Sequence, residues 1–433
     1  FTSDGSLVAC LIQEGGSDWR KAVVMKTSDK SLVGDTLKDL KFTGIAWRGN
    51  EGFYYSSYDK PKGSELSAKT QEHKIYFHKL GTAQKSDQLI FGGSATPRRY
   101  AGAGLTEDER FLIITASQST TGNELYVQDL KDPKGKLVQV VSNFDNNHNV
   151  IDNDGKRLIV QTNLNAPNDR IVSVDFSKPT PENWKDLVPE TDNAMQGVST
   201  AGRKLFVNYL KDASTFVRQY DYNGKLERDV ELPGIGSAGG FGGRVTEQEV
   251  YYSFTSFTTP TSIYKFDIAS GKSALYAQPK VDFDPAAYET KQVFYPSKDG
   301  TKIPMFIVYK KGIELNGKNP TWLYAYGGFG ISLTPGFSTS RVVWLDNGGI
   351  FAQPNLRGGG EYGEKWHDAG RQMNKQNVFD DFIAAGEYLI QEKYTSSEYL
   401  AVVGGSNGGL LVGATMTQRP DLMKVALPAV GVM

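Results

Sequence analysis

Cysteine, excess charge of one sign and long apolar runs are all scarce in this sequence of 433 residues. Cys10 is its only cysteine, which excludes an intramolecular disulfide and a metal site built from several cysteines. The formal net charge of −1 favours neither nucleic acid nor an anionic membrane as a partner. No apolar run approaches the ~18 residues that a membrane span requires. We therefore expect no nucleic-acid partner and no membrane partner.

The two ends of the sequence say little about its cellular location. The chain begins with Phe1 rather than methionine and ends within the apolar run LPAVGVM, so we expect a piece of a longer protein that lacks both ends. A targeting segment would have been lost with the start, and the compartment, cytoplasm or periplasm, stays open. The length allows two or three domains, each able to bury a core.

A repeat with a period of 46 residues runs through residues 106–280. Four strand-like stretches (LYVQDL, IVSVDF, VRQYDY and IYKFDI) carry an aspartate at the same point of the repeat: Asp129, Asp175, Asp221 and Asp267. A second marker lies 16 positions before each aspartate, again in a strand-like run: Ile113, Ile159, Leu205 and Tyr251. A period in the forties with several short strands per unit is typical of β-propeller blades.

The same spacing extends toward the start of the chain. Val8 and Tyr54 are also 46 residues apart, and the polar stretch 61–74 then lengthens that unit as a surface-loop insertion would. Residues 1–280 thus hold about six blade units, and we expect a further blade to precede them. This predicts a partial all-β propeller of the seven-bladed type. The alternative is a two-sheet β-sandwich, which rarely keeps so regular a period.

After residue 280 strands alternate with helices. QVFYPS and KIPMFIVYK form a hairpin pattern, and three further stretches (NPTWLYAY, GGIFAQPNL and YLAVV) resemble buried strands. NVFDDFIAAGEYLIQEKY has helical spacing. This alternation indicates a parallel sheet with helices on both faces. We predict that residues 281–433 form the N-terminal part of an α/β domain.

Ser406 lies in a glycine cluster, GGSNG at 404–408, that fits the pattern G-x-S-x-G. A buried strand leads into the cluster and a helix-like run, GLLVGATM, leads out, as in the turn known as a nucleophile elbow. Glycines are needed there because the turn strains the serine backbone and brings chain segments close together. The context predicts a nucleophilic serine. The alternative is an ordinary strand–helix turn with a capping serine.

The oxyanion donors of such a site come from the residue after the nucleophile and from the loop after an earlier strand. Asn407 supplies the first donor through its backbone N–H. The stretch WLYAYGGFG at 322–330 is a buried strand that ends in glycines, and the Tyr326 hydroxyl can donate to the developing charge there. The alternative makes Tyr326 a core aromatic.

Several stretches together resemble the prolyl oligopeptidase (prolyl endopeptidase) family. They are YPSKDGTKIPMF at 295–306, YAYGGF at 324–329, NLRGGGEYGEKWH at 355–367, GGSNGGLL at 404–411 and QRPDL at 418–422. The likeness extends in order along the whole chain. Asn407 after the serine resembles the prolyl branch, since relatives that cleave after basic residues tend to carry alanine there and dipeptidyl peptidases tyrosine.

The resemblance implies a propeller that caps an α/β-hydrolase domain, with the site in the cavity between them. It implies that Ser406 is the nucleophile, that the Tyr326 hydroxyl and the Asn407 N–H form the oxyanion hole, and that Phe329 and Val432 line the pocket for the proline ring. The implied activity is a serine endopeptidase that hydrolyses short peptides on the carboxyl side of proline through an acyl-enzyme. It implies a monomer when complete, with no metal and no cofactor.

Other charged residues near these motifs have different expected roles. Arg357 and Glu361 are expected to form a structural salt bridge on their glycine-rich loop, and Asp421 is expected at a helix end. His367 precedes Ser406, whereas this fold orders its triad as serine, acid, histidine. None of the 27 residues after the serine is a histidine. We therefore expect the triad acid and histidine beyond the last residue, so that the chain as given is catalytically incomplete.

Two other functions fit the same sequence. A serine esterase or acyl-peptide hydrolase can use the same scaffold, and a pocket for a proline ring distinguishes the peptidase from it. A non-catalytic propeller that binds a partner protein is the second alternative, and an acid and a histidine in the downstream reading frame would argue against it.

Overall fold

The computed structural model describes residues 1–60 and 70–431, so most of the insertion expected at 61–74 lies outside the described residues. These residues divide into two compact units. Unit 1 comprises Phe1–Leu164 with Ile171–Asp186, and unit 2 comprises Asn165–Arg170 with Leu187–Met433. Within the described part, no helix combines the length and the apolar character needed to cross a membrane.

Antiparallel sheets make up unit 1. Over the described residues its first sheet has two groups of strands, in chain order β1 (Leu7–Gln13), β2 (Trp19–Lys26) and β3 (Leu32–Lys41), then β4 (Ala46–Arg48), β5 (Gly52–Ser57), β6 (Lys74–Lys79) and β7 (Gln88–Gly92). The second sheet contains β8 (Tyr100–Leu105), β9 (Phe111–Ser117), β10 (Glu124–Asp129) and β11 (Val138–Val141). The third contains β12 (His148–Asp154), β13 (Arg157–Thr162), β14 (Arg170–Asp175) and β15 (Lys185–Val188).

Unit 2 begins with two more antiparallel sheets of the same kind. One contains β16 (Ala194–Ala201), β17 (Lys204–Lys211), β18 (Ser214–Asp221) and β19 (Leu226–Asp229). The other contains β20 (Ser237–Gly240), β21 (Glu249–Thr255), β22 (Ser262–Asp267) and β23 (Ser273–Ala277). Each sheet pairs its strands in sequence order, which is the arrangement of a propeller blade.

The repeat seen in the sequence marks equivalent strands in these blades. The apolar markers lie on the second strand of each four-stranded sheet (β9, β13, β17, β21), and the aspartates end the third strand (β10, β14, β18, β22). Each aspartate Oδ1 accepts a hydrogen bond from a backbone N–H two or three residues later, in the turn to the fourth strand. An aspartate recurs there because its side chain closes that turn. The propeller prediction is confirmed.

The rest of unit 2 is a six-stranded sheet with helices, as the described residues show it. Its elements in chain order are β24 (Tyr288–Pro296), β25 (Lys302–Lys310), β26 (Thr321–Tyr324), α1 (Thr339–Asp346), β27 (Ile350–Pro354), α2 (Glu364–Asp368), α3 (Gln376–Gln391), β28 (Leu400–Gly405), α4 (Asn407–Gln418) and β29 (Val425–Ala429). The strand order is β24-β25-β27-β26-β28-β29. The β24–β25 hairpin and the β25–β27 pair are antiparallel, and the remaining pairs are parallel.

Both faces of this sheet are covered, which explains why β25 is apolar along most of its length. Met305 and Ile307 of β25 pack in one cluster with residues of α3 and α4, such as Phe382 and Leu411. The alternate residues of β25 pack on the other face, in a cluster that includes Leu345 of α1. The prediction of a helix-covered α/β sheet is confirmed, with an antiparallel edge added by the hairpin.

Strand order places two loops side by side. β26 pairs in parallel with β28, from Thr321 opposite Leu400 to Tyr324 opposite Val403. Parallel strands end at the same edge of a sheet, so the glycine-rich loop after β26 and the turn after β28 meet there. The domain boundary expected at residue 280 stays a prediction, because the two compact units divide the chain elsewhere.

Candidate active site

The backbone of Ser406 is strained. The residue joins the end of β28 to the start of α4 with φ 56° and ψ −116°. A side-chain-bearing residue in such a conformation costs on the order of 1–3 kcal/mol and persists only where its surroundings enforce it. The serine side chain makes no capping hydrogen bond to the helix. This geometry argues against the alternative of an ordinary capping serine.

The glycines around Ser406 are required by close approaches of the backbone. A Cβ on Gly404 would lie 2.3 Å from the Gly408 carbonyl oxygen. A Cβ on Gly408 would lie 2.7 Å from the Ala325 carbonyl oxygen, and one on Gly409 would lie 2.7 Å from the Ala429 carbonyl oxygen. Real Cβ atoms do not approach backbone oxygens so closely, so the turn accepts only glycine at these positions. Three neighbouring segments therefore fix the serine in place.

The structure places Tyr326 and Asn407 next to each other, and their roles as oxyanion donors stay a prediction. The Asn407 side chain is buried and its Nδ2 donates to the Tyr326 carbonyl oxygen at 2.6 Å. Gly328 packs against the same side chain, so closely that a Cβ on Gly328 would lie 2.5 Å from Asn407 Nδ2. The Asn407 N–H opens helix α4, where no intrahelical acceptor exists for it. Tyr326 is partly exposed, which argues against a purely core role.

Of the two residues expected to line a proline pocket, the structure describes only Phe329. Phe329 is 69% exposed and has φ 55°, an uncommon backbone conformation for an aromatic residue. Its ring is thereby held on the surface of the loop that carries Tyr326. Val432 lies outside the described residues.

Lys375 is a site residue that the sequence analysis missed. Its Nζ donates to the Gly327 carbonyl oxygen at 2.9 Å and to Asn407 Oδ1 at 3.0 Å. Burial lowers the pKa of its ammonium group. One signal was present in the sequence: a lysine directly before an amphipathic helix opposes the helix dipole, and such a residue needs another reason to be there.

The salt bridge expected between Arg357 and Glu361 is wrong. Arg357 instead pairs with the buried Asp381 of α3, at 2.6 Å, and with Asp299. Glu361 accepts hydrogen bonds from the Leu333 N–H and from an asparagine side chain. Arg357 therefore connects the hairpin, its own loop and α3, because the planar guanidinium group can donate to two carboxylates at once.

The remaining charged residues near the motifs take structural positions. Asp421 pairs with Arg419 at 2.7 Å just after α4, near the helix end where it was expected. Nδ1 of His367 lies 2.9 Å from the Gly358 carbonyl oxygen. Across residues 1–60 and 70–431, none of the four histidines hydrogen-bonds to the hydroxyl of Ser406. The catalytic base stays a prediction.

A strained serine between a β-strand and a helix, beside a glycine-rich loop at the same sheet edge, is the nucleophile elbow of the α/β hydrolases. The comparison with known families agrees. The model described as "Prolyl oligopeptidase, N-terminal beta-propeller domain" matches residues 1–279, and "Prolyl oligopeptidase family" matches residues 335–433. The chain belongs to the prolyl oligopeptidase family.

Curated relatives share much of this sequence. The chain is 56% identical over 434 aligned residues to a prolyl endopeptidase of Elizabethkingia meningoseptica, covering all of this chain and 61% of the relative. It is 39% identical to a prolyl endopeptidase of Dictyostelium discoideum, covering 92% of this chain and 56% of the relative. The chain thus spans about three fifths of the length of the curated relatives it matches.

Solved structures share the fold. Prolyl oligopeptidase B from Galerina marginata, bound to a 35mer hydrolysis and macrocyclization substrate, matches with a TM-score of 0.93 and 31% identity. The match covers all of this chain and 63% of that one. A structure from a study of two prolyl endopeptidases matches with a TM-score of 0.91 and 39% identity, over 64% of its chain.

The two glycines before Ser406 provide a test of the elbow. We expect Gly404→Ala to destabilise the protein by about 1–3 kcal/mol, because its Cβ overlaps a backbone oxygen that cannot move away. Gly405→Ala is the matched control, since the nearest atom to a Cβ there is 3.8 Å away. Urea unfolding of both variants measures the difference. Equal stability of the two variants would contradict the steric account.

Glu361 predicts a pH dependence of stability. Its carboxyl group is 2% exposed, and burial raises its pKa to about 7. The folded state therefore keeps a proton that the unfolded state loses above its ordinary pKa of about 4.3. The contribution of Glu361 to stability is complete at low pH and is lost as the pH rises to about 7.

Glu361→Gln removes this titration while keeping the side-chain shape. We expect the melting temperature of the wild type, relative to that of the variant, to fall between pH 5 and pH 8 because only the wild type must bury a charge. The underlying free energy is on the order of 2–4 kcal/mol, at about 1.4 kcal/mol per pKa unit. Parallel curves of melting temperature against pH would show that Glu361 does not titrate in this range.

Proposed function

We propose that the protein is a serine endopeptidase that hydrolyses short peptides on the carboxyl side of proline, with Ser406 as nucleophile. The strained backbone of Ser406, with φ 56°, is the observation that carries this proposal. Strained residues of this kind cluster at active sites, and here the strained serine also lies between a strand and a helix beside a glycine-rich loop. Ser406 is partly exposed, as a nucleophile that a substrate must reach has to be.

The surrounding groups fit acyl transfer. Attack of the Ser406 hydroxyl on the scissile carbonyl carbon forms a C–O bond and moves an electron pair onto the carbonyl oxygen. The Asn407 N–H and the Tyr326 hydroxyl are the two donors proposed for that oxyanion. A general base must accept the serine proton and return it to the leaving amine, which departs as the acyl-enzyme forms. Water then hydrolyses the ester.

Proline specificity rests on the apolar wall and on family membership. A proline ring has no N–H to satisfy, so flat apolar side chains such as exposed Phe329 suit it. Val432 is proposed for the same pocket. The prolyl endopeptidases that share up to 56% of the sequence support this specificity, and a neighbour bound to a 35mer supports short peptides as substrates. We further propose a monomer, with a propeller over residues 1–280 and the catalytic domain from residue 281.

Two peptides that differ only at the residue before the scissile bond test the proposal. In the intact protein we expect cleavage after proline and little cleavage after alanine, because alanine leaves the ring pocket unfilled. Ser406→Ala should abolish both activities, since no nucleophile remains. Mass spectrometry of the products locates the cut. Equal cleavage of the two peptides, or turnover of simple esters only, would favour a general esterase.

Tyr326→Phe tests the second oxyanion donor. The change keeps the ring and removes only the hydroxyl, which stabilises charge that develops in the transition state. We expect kcat to fall about 10²–10³-fold, as when one oxyanion donor is lost, and KM to move little. Steady-state kinetics on the proline peptide, with a thermal melt as control, measure this. An unchanged kcat with a lower melting temperature would mean that Tyr326 contributes only to packing.

A further inference from the structure

Lys375 holds two parts of the proposed site together. Its Nζ contacts the Gly327 carbonyl oxygen, on the loop after β26, and Asn407 Oδ1, on the first residue of α4. Asn407 in turn donates to Tyr326 through Nδ2. These three hydrogen bonds connect the loop that carries one proposed oxyanion donor to the residue that provides the other.

The chemistry of lysine fixes the orientation of the Asn407 amide. An ammonium group has donors only, so the amide atom that faces Lys375 must be the oxygen. The amide nitrogen is then directed at the Tyr326 carbonyl oxygen, 2.6 Å away. Gly328 packs closely against this amide, because a Cβ there would overlap the Asn407 side chain. Lys375 thereby determines which atom of the Asn407 amide faces Tyr326.

Stability alone does not account for a lysine at this position. The side chain is partly buried, and its hydrogen bonds go to two neutral oxygens. Over the ranges that the structure describes, Lys375 forms no ion pair with a carboxylate. It also directly precedes α3, at the helix N-terminus, where the helix dipole disfavours a cation. Removing an ammonium group from water without a counter-ion is costly. We therefore look for the reason for this lysine in its contacts with the proposed site.

We propose that Lys375 is a positioning residue of the oxyanion hole, which sets the distance between the Tyr326 hydroxyl and the Asn407 N–H by fixing the loop after β26 to the start of α4. This inference rests on the proposed serine-hydrolase function. The two donors act only if both are directed at the same oxygen, and a displacement of about 1 Å can cost roughly 10²-fold in rate. Ground-state binding of the peptide does not depend on that spacing.

Lys375→Met tests the proposal, because methionine keeps much of the side-chain length and removes the donors and the charge. On the proline peptide we expect kcat to fall about 10–100-fold, with KM changed less than about threefold. Lys365→Met is the matched control: this lysine is exposed on α2, ten residues earlier in the chain, and its replacement should leave kcat unchanged. If the wild type does not cleave the peptide, the proposed function fails; if only the Lys375→Met effect is missing, this inference alone fails.

Two further measurements separate positioning from a structural role. A peptide aldehyde ending in proline forms a tetrahedral adduct with the serine and needs the oxyanion hole, whereas the corresponding product peptide does not. We expect Lys375→Met to weaken aldehyde binding and to leave product binding unchanged. We also expect a smaller loss of kcat when the substitution is made in Tyr326→Phe, since one of the two donors is then already absent. Equal weakening of both ligands, or additive losses of kcat, would overturn the proposal.

Lys375→Gln provides a second variant in case the methionine variant folds poorly. Its amide is too short to reach both oxygens, so the same loss of kcat is expected at a melting temperature close to that of the wild type. A lower melting temperature with kcat retained in either variant would mean that Lys375 is only structural.

Discussion

The backbone of Ser406 is the constraint on which the rest of the proposed site depends. A positive φ at a serine is unfavourable by itself, and here β28, α4 and the segment around Ala429 all enforce it. Their close packing is possible only because glycine occupies 404, 408 and 409. The sheet order then adds the loop after β26, since β26 lies beside β28. One strained residue therefore requires a specific sheet topology, specific glycines and a specific neighbouring loop.

Three ionisable side chains near this sheet edge, two of them buried and one partly buried, have different kinds of partners. The positive charge of Arg357 is neutralised by the carboxylate of Asp381. Together with Asp299, the pair connects three segments of the domain. The Glu361 pKa is raised by burial, so its carboxyl group keeps a proton toward neutral pH. Lys375 has neutral oxygens as its partners. The first arrangement connects segments of the fold, whereas the third contacts the loop and the helix start that carry the proposed oxyanion donors.

Sequence reasoning succeeded where the determinants are local. The aspartates of the repeat could be found because each one closes a turn within its own blade, so the same contact recurs at the same spacing. The elbow could be found because a strand, a glycine cluster and a helix follow one another directly. It failed for Arg357, since the nearby Glu361 suggested a partner, whereas the true partner, Asp381, lies 24 residues away on a helix.

The sequence by itself determined the blade repeat, the alternation of strands and helices after residue 280, and the placement of Ser406 at a strained turn, because short-range periodicity and glycine content encode these features. Only the tertiary structure decided which loop lies beside the serine and what Lys375 touches. The chain passes through β27 and α3 between β26 and β28, so their pairing depends on how the whole sheet packs. The position of Lys375 before a helix does not tell which groups it contacts, because only that packing brings Gly327 and Asn407 within 3.0 Å of its nitrogen.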